Sequence, residues 1–323
     1  LEMAALLGPR VHLEEWEETC RKALCSPSPG FLPTLESAGL IDVDQGAASW
    51  SFANAMVAEC LVRLSKEAGR WTYHNQICAE ILEGSDGDRV SERRGLHLLA
   101  AEEWEAALQP LLEAAVSRRD LSDYPVASQL LDARDEAMDR LGLPEVDRRR
   151  VFSWVDRARL ARVEQKLEVA DQWVKRAERG AELGNWPDLA RRAAREDAYN
   201  ALTRGGYAYA TELMLNTLKA AEEAVDLEIV AACHLGLINS RMSRGDTVGA
   251  VAHAEKALQV YQNLGSVSGQ GHAYRGLGWV RLTRGELEEA RANLMVAQDH
   301  FARAGVKYGL AEVRNDLGEV HRM

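Results

Sequence analysis

From residue 70 to the C-terminus, apolar residues recur at helical spacing, and the runs are broken only briefly. The breaks fall near Gly84 to Asp88, Glu102, Asp120 to Asp123, Gly142 to Pro144, Gly184 to Pro187, Val225, Gly265 to Gly269 and Gly305. Such short connections predict helix after helix, as a solenoid requires. The first 68 residues read differently. Three short helical runs (Leu1 to Leu7, His12 to Leu24, Phe31 to Ala38) precede two strand-like segments, Leu40-Ile41-Asp42-Val43 and Ser49-Trp50-Ser51-Phe52, around the turn-forming Asp44-Gln45-Gly46. Three helices and a hairpin give a winged-helix outline.

The helical part repeats itself. Arg204-Gly205, Arg244-Gly245 and Arg284-Gly285 recur every forty residues, and Ala170, Ala210, Ala250 and Ala290 keep the same step. Seven residues after each alanine comes another small residue: Ala177, Thr217, Ala257, Ala297. Twelve before sit Ala158, Ala198, Ile238 and Gly278, and Gly318 opens a further unit. Two helices joined by a tight turn approach closely only where no large side chain separates their backbones. Each unit is therefore expected to be a helical hairpin, with Gly205, Gly245 or Gly285 tolerating positive φ in its turn.

This spacing, small-x11-Ala-x6-Ala with glycine in the turn, resembles the tetratricopeptide repeat. Tyr274, Leu277-Gly278, Gly285, Ala290, Leu294 and Ala297 form the clearest copy. The departures are the period of forty instead of thirty-four, Arg281 where an aromatic is usual, no proline at the end of the unit, and Ile238 and Gln165 in two of the columns. Longer helices are expected to absorb the six extra residues. The resemblance implies an all-α superhelix whose concave side is lined by the first helix of each hairpin. Carried over by register, its groove positions are Arg159, Arg162, Arg192, Arg195, Tyr199, Asn239, His272, Arg275, Trp279 and Asn315. Arginine and asparagine donors beside aromatic walls suit an acidic peptide or a chain-terminal carboxylate, since guanidinium grips carboxylate through two bonds. The competing reading pairs these arginines with acids on neighbouring helices, such as Glu196 or Asp197, or with another domain of the same protein.

Leu6-Leu7-Gly8, Leu35-x3-Gly39-Leu40-Ile41, Trp50-Ser51-Phe52 and Ala55-Met56-Val57-Ala58-Glu59 resemble the segment after the nucleotide-binding domain in bacterial STAND-type signalling ATPases. In that family a winged helix leads into tetratricopeptide-like repeats. Ala53-Asn54 stands where the family often has a histidine after the Phe, so no role is carried over there. The expected organisation is a winged-helix-like domain at 1–68, divergent helical hairpins at 69–144 and repeats at 145–323. The resemblance implies a regulatory protein- or peptide-binding module that controls an ATPase or effector elsewhere. The alternative is a ligand-sensing arm of a transcription regulator, with a small molecule as ligand.

Charge argues against nucleic acid. The 323 residues carry 39 Lys plus Arg against 50 Asp plus Glu, a formal charge of −11, which repels a phosphate backbone. Residues 1 to 84 hold six basic residues against twelve acids, and the candidate recognition helix Phe31 to Ala38 offers no Arg, Lys, Asn or Gln to a base edge. None of the seven lysines precedes Ser or Thr, so there is no Walker A loop. H-E-x-x-H, G-x-G-x-x-G and G-x-S-x-G are also missing, Gly265-Ser266-Val267-Ser268-Gly269 having valine at the nucleophile position. The chain is thus expected to be non-enzymatic and to use no cofactor or metal. Its eight scattered histidines, and Trp16, Trp71, Trp104, Trp154, Trp173 and Trp186, read as packing residues. Five cysteines without C-x-x-C read as reduced thiols in a cytoplasmic protein, and no apolar run approaches the ~18 residues of a membrane span. The apolar start at Leu1, without Met, reads as the middle of a larger protein.

Overall fold

The computed structural model describes residues 1–44, 46, 48–85 and 89–323, and 77% of the chain is helical. Gln45 in the expected hairpin turn and positions 86–88 in an expected break lie outside the described residues. The chain divides into two compact units, 1–115 with 129–143, and 116–128 with 144–323.

The first unit begins with α1 (Glu2–Leu7), β1 (Arg10–His12), α2 (Leu13–Lys22), α3 (Phe31–Ser37), β2 (Ile41–Asp44) and β3 (Ser49–Phe52). The expected hairpin forms, but it is not alone. Arg10–His12 adds a third antiparallel strand, leaving β3 in the middle, with Trp50 paired to both Val11 and Val43. Three residues are too few for a period-two pattern to show in sequence. The sheet seals a core of Val11, Trp16, Leu35, Ile41 and Trp50, in which Trp16 and Trp50 meet edge to face at 5.4 Å. Helices α4 (Ala55–Glu67), α5 (Trp71–Ile81) and α6 (Val90–Ala100) follow, the first started by Asn54, whose side chain accepts from the Met56 N–H at 2.9 Å. Arg70 grips Glu2 through two bonds of 3.0 and 2.6 Å, and Arg93 joins α6 to Glu15 and the Leu7 carbonyl.

Helices α7 (Trp104–Asp120) and α8 (Tyr124–Arg140) form a hairpin whose tip, 116–128, belongs to the second unit. The rest of that unit is α9 (Arg148–Val163), α10 (Leu167–Leu183), α11 (Pro187–Thr203), α12 (Tyr207–Glu223), α13 (Leu227–Ser243), α14 (Thr247–Asn263), α15 (Val267–Thr283), α16 (Leu287–Ala304) and α17 (Lys307–Arg322). Helices α10 to α15 all have 17 residues, about 25 Å of rise. Three-residue turns join them, so the six residues beyond a thirty-four-residue unit lengthen the helices.

The turns are built alike. Positive φ recurs every twenty residues, at Gln165, Asn185, Gly205, Val225, Gly245, Gly265, Gly285 and Gly305. In each turn the left-handed residue lets two N–H groups fold back on the last carbonyls of the helix. Gly205 N–H reaches Leu202 O at 3.0 Å and Gly206 N–H reaches Ala201 O at 2.8 Å. Between turns, the small columns sit where neighbouring helices touch: Ala158, Ala198, Ala170, Ala210, Ala250 and Ala290 are wholly buried. At Gly278 a Cβ would lie 2.7 Å from Leu294 Cγ, too close for any side chain without a shift. Ile238 breaks its column, and the next inner helix makes room with Gly276, where a Cβ would come within 2.8 Å of Ile238 Cδ1.

Each helix packs on the next, and α9, α11, α13, α15 and α17 also touch one another in succession. They form an inner layer, with the even-numbered helices outside.

Val225 is a β-branched residue held at φ 56°, a conformation costing about 1–2 kcal/mol for L residues. Val225→Gly is expected to raise unfolding stability by about 1 kcal/mol, and Gly245→Val to lower it by at least as much, as read from urea midpoints. Ala250→Leu, which forces a side chain into a closed helix contact, should cost about 1–3 kcal/mol in the same assay.

Candidate functional site

The inner layer of the second unit encloses a cavity of about 720 Å³. Each inner helix contributes a stripe at spacings of three and four: Arg159 and Arg162 from α9, Arg195 and Tyr199 from α11, Leu235 and Asn239 from α13, His272, Arg275 and Trp279 from α15, and Tyr308, Glu312 and Asp316 from α17. The α7–α8 tip supplies Arg119, Asp120 and Tyr124, and α14 reaches in with Tyr261.

The residues selected by register thus divide. Arg159, Arg162, Arg195, Tyr199, Asn239, His272, Arg275 and Trp279 line one cavity. Arg192 lies outside the lining, one turn nearer the start of α11, where it is bonded to Glu228 at 3.1 Å. Asn315 is exposed, one position away from the Glu312–Asp316 stripe, so the register slips by one residue at the last helix. The α7–α8 tip carries no signal in the forty-residue register, because it joins the cavity from a part of the chain outside the regular array. Tyr261 sits on an outer helix and is likewise invisible to a rule that selects inner ones.

Most of the charges hold one another. Glu196 is 1% exposed and takes Arg195 on one oxygen and Arg162, at 3.4 Å, on the other. Burial pushes its carboxyl upward, but Arg195, Arg162 and Arg159 outweigh that and bring it down to about 2. Arg275 bridges Glu312 and Asp316, each at 2.7 Å. Arg119 holds Asp156 at 3.1 Å and Asp120 at 2.9 Å. The neighbour-pairing reading therefore applies to Arg162, Arg195, Arg192 and Arg275, with Glu196 as the central acid. Asp197 instead accepts the Tyr209 hydroxyl at 2.6 Å.

Arg159 differs. It forms no hydrogen bond or ion pair with any described residue. Burial and the repulsion of Arg119, Arg195 and Arg162, set against the pull of Glu196, lower its pKa to about 10, so it stays charged at neutral pH. The aromatic wall is firm beside it: Tyr199 donates to the Ala232 carbonyl at 2.8 Å, and its ring carries the Arg162 guanidinium at 5.1 Å. His272 stands edge-on to Phe301 at 4.8 Å. Burial first, then Arg275 and Arg159, takes its pKa down to about 4 and keeps the ring neutral. Among the described residues no group of three or more His, Cys, Asp or Glu is placed to hold a metal, and no helix is long and apolar enough to cross a membrane.

No protein-family profile matches the chain, and no curated protein matches it in sequence. Solved structures do. A STAND protein with a tetratricopeptide repeat sensor from Pyrococcus horikoshii is 15% identical with a TM-score of 0.48, the match covering 98% of this chain and 51% of that one. A Rap protein complexed with competence and sporulation factor is 13% identical, TM-score 0.49, over 96% and 94%. Yeast Tom70 is 14% identical, TM-score 0.44, over 81% and 51%. The chain spans about half the length of the STAND protein. The second unit is a tetratricopeptide-like array.

Glu196→Gln leaves two buried guanidinium groups without a counter-charge and is expected to cost about 3–5 kcal/mol. Arg159→Gln removes a repelled charge that no carboxylate holds, and should raise the urea midpoint. Acid acts on both titrating groups in the same direction. The stability supplied by the Glu196 carboxylate is complete above its unfolded value near 4.5 and is lost as pH falls through about 2. His272, held neutral, loses ground to the protonated unfolded chain as pH falls from 6.5 towards 4. His272→Leu should therefore flatten the slope of stability with pH in that window by up to about 1.4 kcal/mol per pH unit.

Proposed function

We infer that this chain is a non-enzymatic regulatory module whose tetratricopeptide-like array takes a protein or peptide segment into its inner cavity. The observation that carries this reading is the cavity itself. Five arginines and several aromatic rings converge there from the α7–α8 tip and the inner helices α9, α11, α15 and α17, and one guanidinium forms no hydrogen bond or ion pair with a described residue. Gathering so many charges in one half-open cavity costs desolvation, which an outward-facing scaffold avoids. The sequence words of residues 1–68, and the order α1-β1-α2-α3-β2-β3 they produce, support a winged helix of the kind that joins such arrays to STAND-type ATPase domains. In this reading occupancy of the cavity is relayed to an ATPase and effector in the remainder of a larger cytoplasmic protein. The net charge of −11 and the segment Phe31 to Ala38, which carries Glu36 and no Arg, Lys, Asn or Gln, give no support for nucleic-acid binding.

One observation favours a second reading, the ligand-sensing arm of a transcription regulator. About 720 Å³ falls within the range of small-molecule sites. Panning a library of random short peptides against the wild type and Asn239→Trp tests the peptide reading, since Asn239 is an exposed lining residue and tryptophan there fills the cavity. Enriched peptides that lose tenfold or more in affinity for the variant, with its melting point unchanged, are expected. Peptides binding both proteins equally would move the binding surface elsewhere.

A further inference from the structure

Arg119, Arg159, Arg162, Arg195 and Arg275 line the cavity with Asp120, Glu196, Glu312 and Asp316, and Asp156 holds Arg119 from behind the lining. Among these arginines Arg159 makes no hydrogen bond or ion pair with a described residue. No described acid near Arg159 forms an ion pair with it. Asp156, one turn before it on α9, gives Oδ1 to Arg119 while its buried Oδ2 makes no hydrogen bond, and Glu196 spends one oxygen on Arg195 and the other on Arg162. Arg159 is thus left half-buried in the cavity wall, repelled by three arginines, with its donors facing no described partner. A cation kept in that position is stabilised most by an anion arriving from solution, because guanidinium meets a planar or tetrahedral acid group through two parallel bonds. Around it Tyr199, Tyr261, Trp279, Leu235, Ile238 and Met242 supply apolar surface for the body that carries the acid.

We propose that Arg159 is the anchor of an anion subsite, and that the cavity takes a compact ligand bearing a single acid group on an aromatic or apolar body. One acid group supplies the partner that Arg159 lacks. A second would face Asp120, Glu312 or Asp316, so multiply acidic peptides and polyphosphates are disfavoured. Two sources share this chemistry, a free organic acid and the terminal carboxylate of an apolar peptide. The proposal rests on the reading of the cavity as the ligand compartment.

The test uses 8-anilinonaphthalene-1-sulfonate, an aromatic monoanion that fluoresces in apolar surroundings, and its uncharged counterpart N-phenyl-1-naphthylamine. Both are titrated into the wild type, Arg159→Gln, Arg159→Lys and Asn239→Trp. The expected result is that Arg159→Gln weakens the sulfonate by about tenfold to a hundredfold and leaves the neutral probe unchanged. Lysine should give an intermediate value, and Asn239→Trp should exclude both probes. Circular dichroism melting confirms that each variant is folded. Displacement of the sulfonate then separates the sources: phenylacetate acting alone identifies a free acid, and acetyl-Leu-Phe acting as its acid but not as its amide identifies a peptide terminus. Equal sulfonate binding by wild type and Arg159→Gln, both blocked by Asn239→Trp, would overturn the anion subsite and leave the compartment. Probes that bind regardless of Asn239→Trp would overturn the compartment and the proposal with it.

Discussion

Close backbone approach between neighbouring helices is the constraint from which the second unit follows. It is possible only where Ala, Gly or Thr stands at the contact, and those residues recur with one period because the helix length is fixed by a left-handed residue every twenty positions. Seventeen residues of helix and three of turn bring each small column back to the same height, so that Ala210 meets its neighbours as Ala250 and Ala290 do. Where a large residue intrudes, the space is returned by its neighbour, as Gly276 does for Ile238. The inner layer is what this stacking leaves over: five helices presenting their stripes to one cavity.

What those stripes hold is decided by desolvation. An arginine taken partly out of water keeps its charge and so must find an acid or a ligand. Glu196 satisfies two guanidinium groups from different helices and is held near a pKa of 2 by them. Glu312 and Asp316 share Arg275, and Asp156 turns to Arg119. These pairings rigidify the wall, and none of them includes Arg159. The same network that stabilises the array thereby leaves one donor group open to the cavity.

The hairpins were legible in sequence because period, turn glycines and small columns are local features, and a local feature is the same in every copy. The groove stripe was legible to the same extent: Arg159, Arg195 and Trp279 lie in the cavity because offsets of three and four keep one helix face. At α17 the register moves by one residue, so Asn315 points away while Asp316 faces in. Arg192 lies on the selected face but too far along it. The α7–α8 tip reads as a break at Asp120 to Asp123 but not as part of the site, and Tyr261 and the third strand at Arg10–His12 gave no readable signal, the tip and Tyr261 because they join the site from outside the inner-helix register and the strand because it is so short. Nor does spacing tell which arginine is free. Glu196 is adjacent to Arg195 in sequence, yet its second partner, Arg162, comes from the helix pair before, and only the fold shows that neither of its oxygens is left for Arg159.

Among the described residues, Arg159 alone of the cavity arginines forms no ion pair until a ligand supplies one. Side-chain guanidinium resonances of ¹⁵N-arginine-labelled protein, assigned by substitution, report it directly through the rate of rotation about the terminal C–N bonds. Arg162, Arg195 and Arg275 should rotate slowly, and Arg159 freely until an aromatic monocarboxylate is added, after which it should slow as well. An Arg159 group already hindered in the free protein, or one indifferent to the added acid, would contradict the account.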